Sequence, residues 1–170
     1  MASELEWADA YLTQAREDFR AADAVQGVAP SVLAMLLQMV LEKLGKAALL
    51  RSGVMTVERA RGTHQVAARM MHVIGQSRRK CQRLGLNREH VRRRITPVVD
   101  QLEALNPSVV ARRGGDGPWL EYPWEEPGGA IQWPARHLPG LEAFRPRGVQ
   151  GILLFNLTSR LCRQFDEVFA

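Results

Sequence analysis

The stretch that decides the fold is Ser31 to His64, SVLAMLLQMVLEKLGKAALLRSGVMTVERARGTH. Its first two-thirds are almost wholly apolar, and the polar exceptions Gln38, Glu42 and Lys46 recur at every fourth position, with Lys43 beside them. On an α-helix that spacing draws one line along the cylinder. Leu33, Leu36, Leu37, Val40, Leu41, Leu44, Leu49 and Leu50 surround the line and need cover from other helices. This is the central helix of a bundle, and its polar line is either a solvated seam or part of a site. Ser31 stands where an N-cap belongs, Ser52-Gly53 where a helix stops, and Thr63-His64 opens the next helix.

Four more helices follow from periodicity. The first runs from about Leu5 to Val25, with Trp7, Tyr11, Ala15, Phe19 and Ala22 at intervals of three and four, and Gly27, Ala29 and Pro30 form the turn after it. Thr63 caps the third, whose core positions are Val66, Ala67, Met70, Met71 and Ile74; it continues through a basic run to Leu84, where Gly85 stops it. Asn87 caps the fourth, with Val91, Ile95, Val98, Leu102 and Leu105 as its stripe and His90, Arg93 and Arg94 on the opposite side. Pro97 lies inside that helix and must kink or break it. The fifth covers about Val149 to Phe169, with Ile152, Phe155, Leu157, Leu161, Phe165 and Val168 apolar. Together these predict an all-α, antiparallel up-and-down bundle of about five helices in a single domain over residues 1–170.

Residues 106–147 interrupt the style with prolines 107, 118, 123, 127, 134, 139 and 146 and six glycines, which exclude a long helix. Trp119, Tyr122, Trp124 and Trp133 lie here, and WLEYPWEEPGGAIQWP reads as two extended arms around a Glu-Pro-Gly-Gly turn, a loop or small hairpin between helices 4 and 5. Such aromatic area either packs down on the bundle as a lid or forms a partner surface.

The net charge of +5 conceals an asymmetry. From Arg59 to Arg94, eleven basic residues stand against one acid, Glu89, so this segment carries +10 and the rest −5. Ten of the eleven are arginine, whose planar fork suits phosphate. The partners that fit are RNA or a nucleotide, or an acidic protein surface. No apolar run is long enough to span a membrane, and the acidic start MASELEWADA lacks the layout of a secretory leader. Cys81 and Cys162 have no CxxC neighbour and read as reduced thiols of a cytoplasmic protein. No phosphate-binding glycine loop, HExxH or paired-aspartate motif occurs, so neither a metal nor a cofactor is expected.

Three features together resemble the HEPN superfamily of small helical domains in prokaryotic defence and toxin–antitoxin systems. They are the opening helix ADAYLTQAREDFRAADAV (Ala8 to Val25), the Gln-x-x-x-Glu-Lys-x-x-Lys signature at Gln38, Glu42, Lys43 and Lys46, and Thr63-His64 about a dozen residues after Gly53. The resemblance covers about the first 75 residues. It implies a HEPN-like bundle in which Asp18, Glu42 and Lys46 converge on a groove between helices 1 and 2, and Thr63-His64 packs near the helix 2 stripe.

HEPN ribonucleases carry an arginine and a following histidine with four to six residues between them; as the resemblance implies, the histidine serves acid–base chemistry on RNA and the arginine steadies phosphate. Arg59 with His64 and Arg83 with His90 match the spacing. Arg59 is followed by alanine where catalytic relatives carry a polar residue, and Gly85–Asn87 interrupt the second match. The expectation is a module without strong catalysis, within a homodimer or hetero-complex, that binds RNA, nucleotide or an acidic partner through Arg78, Arg79, Lys80, Arg83, Arg88, Arg93 and Arg94. The alternatives are a metal-independent endoribonuclease using His90 or His64 in a composite dimer site, and a protein–protein adaptor.

Overall fold

A computed structural model describes residues 2–27, 30–112, 117–135 and 148–170. The described chain is mostly helical, with one two-stranded sheet. Its elements are α1 (Glu4–Ala24), α2 (Pro30–Arg51), α3 (Val57–Gly62), α4 (Ala67–Gln76), α5 (Arg78–Arg83), α6 (Arg88–His90), a π-helical turn (Val91–Ile95), α7 (Thr96–Glu103), α8 (Pro107–Arg112), β1 (Trp124–Glu125), β2 (Ile131–Gln132) and α9 (Val149–Phe169).

The long helices lie where periodicity put them. Ser3 opens α1 with a reciprocal capping box to Glu6. Helix α2 packs along α1 and is covered further by α4, α7 and α9, so it is the central helix. Leu33, Leu37, Val40, Leu41 and Leu44 are buried against Ala15, Ile74, Leu102, Leu161 and Phe165. Gly53 and Gly85, both at positive φ (63° and 61°), close α2 and α5 as expected. At the far end of α2, Arg51 bridges Asp9 of α1 and Asp166 of α9 at 2.6 Å each, tying three helices. Arg51 and Arg16 together hold the Asp166 carboxyl below its ordinary range. One expected core position fails: Ile152 of α9 is 48% exposed.

The expected third helix, from Thr63 to Leu84, is two pieces, α4 and α5, and a short helix that was not anticipated precedes it. Residues 57–62 form α3, capped by Thr56, and Thr63 follows it in extended backbone rather than capping α4. Helix α4 starts at Ala67 with no local side-chain cap. Its cap comes from Glu103 at the end of α7, whose buried carboxylate accepts from the Val66 and Ala67 N–H groups at 2.6 and 2.7 Å. A carboxylate on the first N–H groups of a helix satisfies donors that the helix itself cannot. Ser77 then breaks the run, its hydroxyl accepting from Lys80 N to start α5.

Asn87 caps α6 through the Glu89 and His90 N–H groups, as expected. Pro97 does not break the helix from Arg88 to Glu103; the preceding turn widens into the π form, and Thr96 Oγ1 donates to the Val91 carbonyl at 2.9 Å. A proline supplies no N–H to the turn behind it, and a π-turn absorbs the misfit.

Within 106–147, Asn106 and Pro107 start the short α8, which was not anticipated. β1 and β2 pair antiparallel, Trp124 opposite Gln132 and Glu125 opposite Ile131, around the expected Glu-Pro-Gly-Gly turn. Leu120 packs into the core, Trp124 is buried over Gly117 of its own segment, and Tyr122 stays 55% exposed. Among the described residues, the segment joins the core of the bundle through Leu120 rather than through an aromatic side chain. Residues 113–116 and 136–147 of the segment lie outside the described residues.

Candidate anion-binding cleft

The polar line of α2 is neither solvated nor an open site. Gln38 and Lys46 are 3% and 6% exposed. Gln38 Nε2 donates to the Leu102 carbonyl at the end of α7 (2.8 Å). Lys46 Nζ pairs with Glu42 at 2.7 Å and lies 5.5 Å from the Tyr11 ring centroid. His64 Nδ1 sits 3.1 Å from both Glu42 oxygens, so the imidazole packs against the stripe as the resemblance implies. Asp18 pairs with Lys43 instead of joining Glu42 and Lys46. The crevice among Gln38, Glu42, His64 and Glu103 has no room for a water molecule. The expected groove of Asp18, Glu42 and Lys46 is thus a set of satisfied pairs, and His64 serves the packing of 63–66 onto α2.

Burial pushes the Glu103 carboxyl up; its backbone N–H donors pull the other way without overcoming it. Gly45 of α2 makes this joint possible: a Cβ there would stand 2.8 Å from the Val66 carbonyl oxygen.

The arginine block is sorted differently. Between α5 and α6 opens a cleft of about 780 Å³ lined by Arg78, Gln82, Asn87, Arg88, Arg92 and Arg93, with Cys81 and Leu86 beneath and Glu89 at its side. The walls follow from local rules. Ser77 starts α5 so that Cys81 and Leu84 face inward, which leaves Arg78 and Gln82 on the cleft side. Gly85 reverses the chain, and Asn87 starts the second wall. Arg88 Nε donates to the Gly75 carbonyl (3.2 Å), fixing α6 against the end of α4. Glu89 pairs with Arg93 at 3.2 Å, with both side chains largely exposed. Among the described residues no carboxylate pairs with Arg78, Arg88 or Arg92. Uncompensated guanidiniums around a concavity favour phosphate, which they can grip two oxygens at a time.

Not all the expected residues reach this cleft. Arg79 and Arg94 are exposed and Arg83 is half-buried, but none lines it. Lys80 turns to the opposite side: Nζ donates to the Val168 carbonyl at 2.7 Å, 4.5 Å from the Phe169 ring centroid. It caps the end of α9, and burial, helped by Arg83 and Arg79, lowers its pKa. His90 lines a neighbouring groove of about 330 Å³ with Ile152, Asn156 and Arg160, where α6 meets α9. The cleft lining therefore contains arginines and no histidine. Arg92 belongs to the basic run but is not among the expected site residues; its spacing of four from Arg88 is the signal that marks it.

No family model, curated protein or solved structure matches this chain. The reading of the site accordingly rests on its chemistry. Among the described residues, no three His, Cys, Asp or Glu side chains gather to hold a metal. No described helix is long and apolar enough to cross a membrane. Cys81 and Cys162 are free and buried, and burial drives the Cys162 thiol to about 12, far from a reactive thiolate.

Proposed function

We propose that this protein binds RNA through the Arg78–Arg88–Arg92–Arg93 cleft, as a HEPN-type module of a prokaryotic defence or toxin–antitoxin assembly that works by binding rather than by strong catalysis. The observation that carries the reading is the cleft itself: four guanidiniums around one concavity, with a single carboxylate among them. The seating of His64 against Glu42 supports the HEPN part, because it gives the Thr-His element the place the family resemblance implies. The ribonuclease alternative has less support, since His90 lines the adjacent groove and His64 is engaged by Glu42.

The mechanism is counterion release: each phosphate neutralised on a single strand lowers the slope of log K against log salt by about 0.7. Four engaged arginines give a slope near −3 by the same rule, roughly. Changing Arg78 and Arg92 to alanine should halve that slope and weaken RNA binding, with the thermal unfolding curve unchanged. Fluorescence anisotropy over a salt series measures this. Equal affinity and slope in the double variant would remove the cleft as the site.

A further inference from the structure

The described part of the proline-rich segment is a counterpart to the cleft. Residues 117–135 contain Glu121, Glu125 and Glu126 and no basic residue. Glu121 and Glu125 are exposed, as are Pro127, Gly128, Gly129 and Ala130 at the turn, so the acidic tip stands clear of the bundle. The arm is fixed rather than loose: Leu120 N donates to the Leu105 carbonyl, and Glu126 N to the Ala130 carbonyl. Leu120 anchors it in the core and Trp124 is buried over Gly117 of the same segment, while Tyr122 and Ile131 remain more than half exposed. An anchored acidic hairpin with an exposed aromatic ring suits a surface of uncompensated arginines, by ion pairing and by guanidinium stacking.

The geometry points to a second copy of this chain as the occupant: the Glu121–Glu126 hairpin of one molecule enters the arginine cleft of the other. Charge complementarity selects a second copy over an unrelated basic protein, because every molecule brings both halves in equal amount. The hairpin is anchored beside Leu105, past the end of α7, whereas the cleft lies at the start of the same long helix, so the two halves are apart within one chain. In a two-fold pair each hairpin fills the other's cleft and both contacts close together. The hairpin and an anionic ligand then exclude one another. Self-pairing shields the arginines until phosphate displaces the partner.

The test is sedimentation velocity over a concentration series without nucleic acid, which keeps it independent of the RNA reading. The wild-type protein should dimerise, and added salt should dissociate it. Glu121→Arg with Glu125→Arg, and separately Arg92→Glu with Arg93→Glu, should each weaken association by about a hundredfold, since each sets like charges face to face. Mixing the two reversed proteins should restore a dimer, because each hairpin again meets a cleft of opposite sign. Circular dichroism reports whether each variant is folded; should a reversal unfold the protein, the glutamine versions at the same positions test the same direction. A wild-type protein that stays monomeric, a dimer indifferent to either reversal, or a mixture that stays monomeric would each overturn the proposal. So would a monomer whose hairpin captures polylysine.

Discussion

Replacing Gly45 by alanine tests the joint on which the helical framework turns. At most positions inside a helix the change would stabilise, by about 1 kcal/mol, because alanine restricts the unfolded chain and favours the helix. Here the new Cβ would lie 2.8 Å from the Val66 oxygen, 2.9 Å from its carbonyl carbon and 3.1 Å from the Ala67 nitrogen. All three are backbone atoms, so no side chain can swing aside. Ordinary contact begins near 3.4 Å, so relief requires the 66–67 backbone to move by about 0.6 Å. That backbone is held by Glu103 through bonds of 2.6 and 2.7 Å, and moving it lengthens both. Overpacking of this kind costs about 1–3 kcal/mol, and loosening hydrogen bonds to a buried charge costs a similar amount. After the helix-propensity gain of about 1 kcal/mol, a net loss of about 1–5 kcal/mol remains, which for a chain of this size lowers Tm by roughly 2–20 °C. Thermal and urea unfolding followed by circular dichroism measure it. A Gly45→Ala protein that melts at or above the wild type would refute the argument, because it would mean the close approach of α2 to residues 66–67 does not constrain the fold.

Three further outcomes follow from the same contacts. Glu103 has a folded-state pKa raised by burial, so the native state binds its proton more readily than the unfolded chain does, and its contribution to stability declines as pH rises from the ordinary glutamate range through the raised value. Glu103→Gln should flatten that decline, and urea midpoints taken across the window would run parallel for the two proteins if the reasoning fails. Lys80→Gln removes the cap at Val168 and the cation over Phe169 and should cost about 1 kcal/mol; RNA affinity should stay unchanged, and a large loss in the anisotropy titration would return Lys80 to the binding face. His90→Ala should bind RNA as the wild type does, because the imidazole lines the adjoining groove; RNA cleavage in EDTA that vanishes in this variant would establish the ribonuclease alternative instead.

What could be read from the sequence was what neighbours along the chain decide. Helices α1, α2 and α9 have long apolar periods and clear stops, and their limits are nearly the expected ones. The start of α4 was misread because its cap is not local. Thr63 looked like a cap by position, but the carboxylate that does the capping arrives from 36 residues downstream of Ala67. The polar line of α2 was ambiguous for the same reason, since only the packed fold brings Leu102 to Gln38 and His64 to Glu42. The arginine block was legible as charge but not as a site. Folding divided it at Ser77 and Gly85, sending Lys80 to α9 and gathering Arg78, Arg88, Arg92 and Arg93. The inward spacing of Ser77, Cys81 and Leu84 was the available clue to which side of α5 faces the core.

The π-helical turn at Val91–Ile95 works as a gear between the arginines and the body of the protein. An α-helix advances by about 100° per residue, so winding all five residues in the ordinary way, with none removed, would rotate α6 against α7 by about that angle. Arg88 would be swung away from the Gly75 carbonyl that now anchors it, while Val98, Val99 and Leu102 kept their seats. Tightening this turn with its residues kept would hardly change the length of the molecule; it would re-aim its charge.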